Sequence, residues 1–414
     1  MRNTIKIAAR NLRRYRRRTL LTSSLITLGV VAVLLFISVS GSFKSMMIAQ
    51  ITDSMLGHLQ IHQKGYLASI DTLPLNRNMK EGQVKKVTEI LEEHPAIAAY
   101  SPRIRLGAMF SNYTETTNIR LNAVIPEREM ETVPLLRERV IDGGGEGLVR
   151  QGEILVPELI AKGMNVKVGD GIVLVATNDD GSVNGQPFTV GGIVEGVTGP
   201  GGRDGYIHLD DARTLLRLEE KEISEIAVRI KDLDKLDSTY AAINDTLAPM
   251  INQAGKPAFE AHTWESLSPF FNIAKMIDLM TMSIKVMLVA IVLVSIMNVM
   301  IMAVYERINE IGTIAAMGTV PTRILALFLT EGFLLGILGA AIGIVVSLAA
   351  IAVLRAAELT FNFGQQQGLV LIPFIKTGDV ISIALIVIGI AVLGSLQPAW
   401  KAARMDPITA LRHV

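Results

Sequence analysis

Few residues in this chain have the types and spacing that chemistry requires. The absence of cysteine excludes disulfides, thiolate nucleophiles and cysteine-bound zinc. His58 and His62 would share one face of a strand, but no third ligand accompanies them, so we interpret them as surface residues and expect no metal site. The glycine-rich segment 199–205 could hold a phosphate, but no helix clearly follows it, which favours a turn between strands. The chain also lacks the phosphate-binding loop of an ATPase. We therefore expect no catalytic site and no cofactor in this chain.

Composition indicates a membrane protein. Apolar residues make up 50% of the chain, and its mean hydropathy is +0.40, a value that predicts membrane spans. The 40 basic and 39 acidic residues balance, which gives no argument for nucleic acid as a partner. The positions of the charges are therefore more informative than their sum.

Four stretches free of charged residues have the length that a bilayer requires. They are 19–43, 286–305, 332–354 and 380–400. Because a helix needs about 20 apolar residues to cross the hydrocarbon core, each stretch predicts a transmembrane helix. The second helix is expected to begin earlier, at residue 269, and to reach about 55 Å at 1.5 Å per residue. Its first part would then form a stalk outside the membrane.

Basic residues indicate the orientation of these helices. Residues 1–18 and the tail are rich in arginine and lysine, and Arg307 and Arg323 bracket the link between spans two and three. The positive-inside rule predicts that both ends and this link lie in the cytosol. Residues 1–18 also carry apolar residues at helical spacing. They are typical of an amphipathic helix on the membrane surface, although a simple topological anchor is an equal alternative.

The region between the first two spans, 44–268, alternates short strands with short helices. A glycine-rich hinge at 142–147 marks a change in composition within it. We therefore predict an extracytoplasmic α+β domain of two lobes, with the second lobe, about 143–215, inserted into the first. The predicted strands are 59–62, 97–110, 118–125, 154–156, 172–176, 188–194, 206–208 and 223–230.

The link at 306–322 can form a short amphipathic helix. Its apolar side would carry Ile308, Ile311, Ile314 and Ala315, and its other side Glu306, Glu310 and Thr313. Gly318 and Pro321 would then turn the chain back. Such a helix either lies passively on the membrane or docks onto a cytosolic partner, and periodicity alone leaves both readings open.

Several motifs resemble one family. The segment Tyr305-Glu-Arg-Ile-Asn-Glu-Ile-Gly-Thr-Ile-Ala-Ala-Met-Gly-Thr, followed by Phe328-Leu-Thr-Glu-Gly and a glycine-striped span, is similar to the signature of FtsX-type ABC transporter permeases. The tail that begins Gln397-Pro-Ala-Trp and the outer stretch Gly57-His-Leu-Gln-Ile-His resemble the same family, which includes MacB, LolC and LolE. Within it, the chain looks most similar to the lipoprotein-releasing LolC/LolE branch. One departure is Ala315, which stands where the family usually has arginine.

The resemblance implies a fold and a set of partners. The fold is an α-helical membrane protein with four transmembrane helices and a large, two-lobed MacB-like periplasmic domain, in the bacterial inner membrane. The partners are ABC ATPase subunits, which bind ATP and Mg, and a second permease copy or paralogue. The link would be the coupling helix that seats in the ATPase. Its contact residues would be Glu306, Arg307, Glu310, Ile311, Gly312, Ala315 and Gly318.

The resemblance also places spans one and two at the subunit interface, where acyl chains would enter from the outer leaflet. Their bulky side chains agree in part, because methionine suits irregular apolar ligands, although packed or lipid-facing filler is an equal interpretation. The expected substrate interface is Leu35, Val39, Met280, Met287 and Ile291, beside Leu34 and Ile37.

Two further features of the spans concern helix contacts. A stripe of small residues runs along span three, and such stripes let helices approach closely. It consists of Gly332, Gly336, Gly339 and Gly343. Asn298, the one amide within span two, is expected to hydrogen-bond between helices rather than to select a substrate.

The predicted organisation combines these segments. In chain order it is a cytosolic amphipathic helix at 1–18, transmembrane helix 1 at 19–43, the extracytoplasmic domain at 44–268, the stalk and transmembrane helix 2 at 269–305, the coupling helix at 306–322, transmembrane helix 3 at 323–356, a short outer loop at 357–378, transmembrane helix 4 at 379–400 and a cytosolic tail at 401–414.

The predicted function is that of a permease subunit that transmits cytosolic ATP hydrolysis to its periplasmic domain to extract or release lipoproteins. It would contact membrane lipids, a lipoprotein and a periplasmic carrier or adaptor. Two alternatives stay open. One is a MacB-type efflux permease that works with an adaptor, and the other is an FtsX-like signalling subunit that controls a cell-wall hydrolase and transports nothing.

Overall fold

The structure is a computed structural model that describes residues 2–145, 147–178, 180–196, 200–252, 255–363, 366–406 and 410. The chain forms two compact units. We call the first the helical unit; it comprises Met1–Ser45, Ala274–Thr360 and Val370–Val414. The second, the α+β unit, comprises Met46–Ile273 and Phe361–Leu369.

The structure contains long helices near both ends of the chain and, between the first two long helices, short helices and strands. The helices are α1 (Arg2–Arg14), α2 (Arg16–Ile51), α3 (Glu81–Glu93), α4 (Pro126–Thr132), α5 (Glu158–Gly163), α6 (Leu209–Leu216), α7 (Leu236–Leu247), α8 (Trp264–Leu267), α9 (Phe270–Glu306), α10 (Ile308–Ala316), α11 (Pro321–Ala356) and α12 (Thr377–Ala403). The strands are β1 (Leu59–Gln63), β2 (Ile97–Ser111), β3 (Thr116–Val124), β4 (Val140–Gly143), β5 (Glu153–Pro157), β6 (Gly171–Thr177), β7 (Val183–Val194), β8 (Asp204–His208), β9 (Glu225–Ile230), β10 (Phe259–Thr263), β11 (Thr360–Phe363) and β12 (Gln366–Val370).

Four helices of the described chain are long and apolar enough to cross a membrane: α2, α9, α11 and α12. Together with the mixed α+β unit, they confirm the fold class predicted from the sequence. The helix expected from residue 269 is α9, a single element of 37 residues. Pro321 begins α11, a position that suits proline because its backbone needs no N–H donor there.

One face of α11 makes unusually close helix contacts. A Cβ atom added at Gly336 or Gly343 would lie 2.7 Å from a side chain of the facing helix, a distance that real Cβ atoms do not reach. The contacts pair Gly332 with Ser395, Gly336 with Ala391, Gly339 with Ile26 and Gly343 with Val30. The first two partners belong to α12 and the last two to α2. The glycine stripe therefore lets α11 pack against two other spans at once.

The α+β unit is organised by one long strand, β2. The strand order is β10-β1-β9-β2-β3-β8-β5-β7-β4, and β6 pairs with both β2 and β7. The first half of β2, from Ile97 to Arg103, pairs with β9, and the second half, from Ile104 to Ser111, pairs with β3. The segment predicted as an inserted lobe supplies β5 to β8, and β8 pairs parallel to β3. The predicted lobes are thus joined in a continuous strand order.

Several elements were missed because their residues are short or mixed in polarity. They are β4, β10, α4, α7 and the hairpin β11–β12, which lies in the segment 357–378 expected to be a loop. The helix expected over 1–18 ends at Arg14, and α2 begins at Arg16. Of the candidate phosphate segment, Gly199 lies outside the described residues, and Pro200–Arg203 forms a short 3-10 turn that leads into β8.

His58 and His62 are buried, with exposed fractions of 6% and 0%, so the prediction that they are surface residues was wrong. Each imidazole has an acidic neighbour. The Nε2 atom of His58 lies 3.2 Å from Asp53, and that of His62 lies 3.5 Å from Glu225. Burial of these rings is possible because a polar partner accompanies each one.

Candidate functional site

Two backbone breaks make α10 a separate helix between the long helices α9 and α11. At Arg307 the backbone leaves the helical conformation, with φ −118° and ψ 20°. After α10, Gly318 adopts φ +85°, a left-handed conformation that favours glycine. The link between spans two and three is therefore a short helix whose orientation depends on its side-chain contacts.

Arg307 is buried in the helical unit, although it belongs to this link. Only 6% of the residue is exposed, and its guanidinium lies 5.7 Å from the ring of Phe328. Its Nη1 donates to Oε1 of Glu331 in α11 at 2.9 Å, and its Nε donates to Oε2 of Glu310 in α10 at 3.1 Å. Glu331 is 1% exposed. The buried carboxylate of Glu331 requires this ion pair, because its charge would otherwise be uncompensated.

The N-terminal helix joins the same cluster. The amide of Asn11 donates to Oε1 of Glu331 at 2.6 Å, and Leu12 packs in the hydrophobic core of the helical unit. Two ion pairs extend the contact, Arg14 with Glu310 at 3.6 Å and Arg18 with Glu306 at 3.0 Å. The start of the chain therefore packs on α11 and contacts both acids of the link, which is more than an anchor for topology requires.

The structure divides the predicted coupling residues into two sets. Glu306, Glu310 and Gly318 are exposed and Ala315 is half-buried, whereas Arg307, Ile311 and Gly312 are buried. The buried three face the helical unit, so the expectation that they meet a cytosolic partner is not supported by their placement. The apolar side of α10 also differs from the prediction, since Ile314 is 36% exposed. Met317, which follows the helix, is 74% exposed. The accessible surface of the link thus combines two acids with apolar side chains.

The predicted substrate residues lie on two helices that pack together. Leu35 and Val39 of α2 are half-buried, and the three residues of α9 are about half exposed or more. Those three are Met280 (52%), Met287 (64%) and Ile291 (49%). Leu34 and Ile37, which were expected beside them, belong instead to the core of the helical unit.

Contacts between α2 and α9 fix this pair of helices. The Nζ of Lys44 lies 2.6 Å from the carboxylate of Asp278, and a Cβ added at Gly29 would lie 2.8 Å from Leu288. The exposed faces of α2 and α9 therefore belong to neighbouring helices and can form one apolar surface.

Sequence reasoning missed Asn11, Arg14, Arg18 and Glu331 as members of the link cluster. One signal was available for Glu331, because it is the single charged residue of α11 between Arg323 and Arg355. Charged residues within a membrane helix usually face a partner inside the protein. Glu331 lies within the predicted transmembrane helix 3 at 323–356, but it precedes the charge-free stretch 332–354, and no partner was predicted for it.

A second buried charge cluster lies in the α+β unit. Arg103 is ion-paired with Glu129 at 2.8 Å and with Glu225 at 3.2 Å, and all three side chains are almost fully buried. Burial alone would raise the pKa of Glu225, but Arg105, His62 and Arg103 together lower it to about 2. The cluster joins β2, α4 and β9 and is best explained as structural, because its three charged side chains are almost fully buried and pair with one another.

Comparison with known proteins identifies the family. A family model for the MacB-like periplasmic core domain matches residues 19–246, more than half of the chain, and a model for the FtsX-like permease C-terminal region matches 282–407. The chain belongs to the MacB- and FtsX-type permeases of ABC transporters. The family resemblance predicted from the motifs is therefore confirmed. The FtsX-like match contains α10 and both residues of the Arg307–Glu331 pair.

The relatives of this FtsX-type permease include two that match nearly the whole of this chain. It is 23% identical to LolC of Neisseria meningitidis serogroup B, a lipoprotein-releasing system transmembrane protein, over 95% of this chain and 94% of that one. It is 26% identical to the macrolide export ATP-binding/permease protein MacB of Hahella chejuensis, over 96% of this chain but 58% of that protein. The crystal structure of the periplasmic region of MacB from Actinobacillus actinomycetemcomitans matches 50% of this chain and 89% of that one, with 14% identity and a TM-score of 0.35. The chain is thus a multi-pass permease component of an ABC transporter with a periplasmic domain.

Proposed function

We propose that this FtsX-type permease works with separate ATPase subunits to extract or release lipoproteins from the bacterial inner membrane. The observation that carries the proposal is the link that contains α10. Arg307, just before this helix, is buried and ion-paired with Glu331, while Glu306 and Glu310 remain exposed. A short helix with one side fixed to the helical unit and the other side exposed can transmit force from a cytosolic partner to the spans.

The energy source in this proposal is a partner protein. The chain has no phosphate-binding loop, so ATP and Mg would be bound by the ATPase subunits. Their closure would push on α10, and α9, which is continuous over Phe270–Glu306, would carry the movement toward the periplasmic domain. A second permease copy or paralogue would complete the complex, and membrane lipids would surround the spans.

The substrate class rests on the extent of the matches. The chain accounts for 94% of the length of LolC, but for only 58% of MacB, whose name includes ATP binding. The match to LolC therefore extends over nearly the whole length of both sequences, which supports a lipoprotein as the substrate class. In this proposal a lipoprotein reaches Leu35, Val39, Met280, Met287 and Ile291 from the outer leaflet and passes to a periplasmic carrier.

A MacB-type efflux function is the second candidate. The observation in its favour is the 26% identity to MacB over 96% of this chain. Such a permease would work with a periplasmic adaptor and would move a small apolar molecule. An FtsX-like signalling role, in which the complex controls a cell-wall hydrolase, is the outcome that remains if no transport is observed.

Reconstitution tests the proposal directly. The permease is purified with its ATPase and any paralogue, placed in proteoliposomes with a fluorescent triacylated lipoprotein, and supplied with ATP and a soluble carrier. We expect ATP-dependent transfer of the lipoprotein to the supernatant, and none with a non-hydrolysable ATP analogue. Release of a macrolide but no lipoprotein would favour efflux. ATP hydrolysis without release of either would favour the signalling role.

A further inference from the structure

A small cavity lies between α9 and α12, at the end of these helices that is next to the link. Its volume is about 90 Å³, well below the roughly 300 Å³ at which pockets for whole small molecules begin. Any occupant must therefore extend beyond the cavity onto the exposed surface of the two helices. Apolar and polar side chains both line it, among them Ile301, Pro398 and Met405 on the apolar side and Tyr305, Gln397 and Lys401 on the polar side.

The polar groups of this cavity offer mainly hydrogen-bond donors. The Nζ of Lys401 donates to the phenol oxygen of Tyr305 at 3.1 Å and lies 5.4 Å from the centroid of its ring. Because the phenol accepts in this bond, its own hydrogen can still be donated, as can the other hydrogens of the ammonium group. Glu306, the acid next to Tyr305 in the sequence, is paired with Arg18 instead. The donors of the cavity therefore suit a ligand that carries an anionic acceptor.

A second cation lies one helical turn beyond this lysine. The Cζ atom of Arg404 lies 4.3 Å from the ring centroid of Trp400, and both residues are exposed. A guanidinium stacked on a ring keeps its N–H donors accessible at its edges. Tyr305 and Trp400 are the last residues of the charge-free stretches 286–305 and 380–400. They therefore lie at the membrane–water boundary, where tyrosine and tryptophan are enriched.

The combination of these features specifies the class of ligand. A small soluble anion would use the donors but not the apolar part of the cavity, and an apolar molecule would leave the donors without an acceptor. A phospholipid has its phosphate at the boundary and its acyl chains directly below it. Exposed apolar side chains continue from the cavity along α12 into the span, namely Leu396 (45%) and Leu393 (62%). Basic pockets between membrane helices bind anionic head groups in this way.

We propose that the cavity between α9 and α12 binds an anionic phospholipid from the leaflet beside the link. The phosphate accepts hydrogen bonds from Lys401, Tyr305 and Arg404. The first methylene groups of one acyl chain occupy the cavity against Ile301 and Met405. The bound lipid joins Tyr305, the residue before the link, to α12 and so stabilises the end of α9 at which the link begins. The site does not rely on the proposed function, because it requires neither a substrate nor an ATPase.

Native mass spectrometry of the delipidated full-length protein tests this site. The protein in detergent is titrated with palmitoyl-oleoyl phosphatidylglycerol, with zwitterionic phosphatidylethanolamine of the same acyl chains, and with inorganic phosphate. We expect one phosphatidylglycerol to bind about tenfold more tightly than phosphatidylethanolamine, and inorganic phosphate not to displace it. Equal binding of the two lipids would overturn the requirement for an anionic head group. Displacement by inorganic phosphate would identify a site for a soluble anion and would overturn the assignment to a lipid.

Paired variants locate the bound lipid. Lys401→Gln combined with Arg404→Gln should weaken phosphatidylglycerol binding about fivefold for each charge removed, whereas Lys401→Arg should retain it. The matched control combines Arg17→Gln with Arg323→Gln, because these two arginines of the helical unit are also exposed but do not line the cavity. Tyr305→Phe removes the phenol donor and should weaken binding about threefold.

The two double variants remove equal charge, so their comparison separates a specific site from general attraction between basic residues and anionic lipid. All four side chains are exposed, and thermal unfolding without added lipid should therefore be the same in both variants. Addition of phosphatidylglycerol should raise the unfolding temperature of the control but not of the variant that lacks Lys401 and Arg404. Equal loss of binding in the two double variants, or no loss in the first, would overturn the site.

Discussion

Arg307 and Glu331 lie on either side of the turn between two helices and are joined by an ion pair of 2.9 Å, with both side chains buried. Burial of the Glu331 carboxylate depends on this pair, whereas Arg307 is also ion-paired with Glu310. The pair fixes the start of the link to the third span. A movement imposed on α10 must therefore displace α11 or break the pair.

We predict that Arg307→Met alone destabilises the helical unit by about 3–5 kcal/mol, because the buried carboxylate of Glu331 loses its ion-pair partner. Glu331→Gln should destabilise it less, because Arg307 keeps its ion pair with Glu310. The double variant Arg307→Met with Glu331→Leu removes both charges and should recover most of this loss. Thermal unfolding of the detergent-solubilised protein provides the measurement. A double variant as unstable as the singles would show that the pair is not the source of the effect.

The second prediction concerns the exposed face of the link. Glu310→Lys should uncouple ATP hydrolysis from transport while the protein still inserts, because charge reversal at a docked surface can cost several kcal/mol. Glu310 also accepts from Arg307, so Glu310→Gln serves as the control that weakens this internal contact without reversing the charge. The ratio of released cargo to hydrolysed ATP is measured in proteoliposomes. Normal coupling in Glu310→Lys would argue against α10 as the coupling helix.

The buried cluster of the α+β unit predicts a specific response to acid. The pKa of Glu225 in the folded protein, about 2, lies below its ordinary value of 4.5. Its ionised form therefore stabilises the fold above about pH 4.5, and this contribution is lost as the pH falls toward 2. We expect the free energy of unfolding of the α+β unit to decrease across that interval.

Tryptophan fluorescence can follow this unit selectively. The chain has two tryptophans, and Trp264, which is 3% exposed, belongs to the α+β unit. In a Trp400→Phe background it becomes the single reporter. Glu225→Gln, compared in the same background, should be less stable at neutral pH and should lose stability less steeply between pH 4.5 and 2. An identical pH dependence in both proteins would remove Glu225 as the cause.

Topology is tested by reporter fusions. We expect a reporter inserted after Met130 to lie outside the cytosol and one inserted after Thr319 to lie within it, because the arginine-rich start of the chain and the basic residues of the link favour the cytosol. Alkaline phosphatase and green fluorescent protein fusions give opposite signals for the two sides. A cytosolic reporter after Met130 would invalidate the assignment of the periplasmic domain.

The sequence predicted the elements of this protein better than their contacts. Long charge-free stretches predict membrane spans because charged side chains are unfavourable in hydrocarbon. The alternation of apolar and polar residues in β2 and β6 predicted strands, because alternate side chains of a strand lie on opposite faces. Asn11 and Glu331 are 320 residues apart, and nothing local to either residue indicates that they meet. The glycine stripe of α11 likewise predicted a close helix contact but not its division between α2 and α12.

Burial within α10 shows a second limit. Helical periodicity gave an apolar side that included Ile314, yet this residue is 36% exposed while Arg307 is buried. The reason is that a short helix between two spans takes its orientation from its strongest contact. Here that contact is the ion pair between the buried guanidinium of Arg307 and the carboxylate of Glu331. Because Glu331 lies outside the link, the sequence of the link does not reveal this partner.

The last prediction concerns the place where a lipoprotein is held. Acyl chains need an apolar surface that is open to the outer leaflet, and the half-buried Val39 and the 64% exposed Met287 belong to the packed pair α2 and α9. We expect a photo-crosslinker at either position to capture lipoprotein before ATP is added and to lose it afterwards. Crosslinkers at Ile337 and at Leu338, which is 42% exposed on α11, are the controls.

The controls separate a specific site from general contact with lipid-embedded cargo. Leu338 is accessible from the membrane but lies on a helix whose glycine face is occupied by α2 and α12, so it should capture little lipoprotein. Capture at Ile337 or Leu338 without capture at Met287 would move the site to α11. Capture at all four positions would indicate non-specific contact, and capture at none would favour the signalling role. Release from Met287 by ATP but not by its non-hydrolysable analogue would link this surface to the movement of α10.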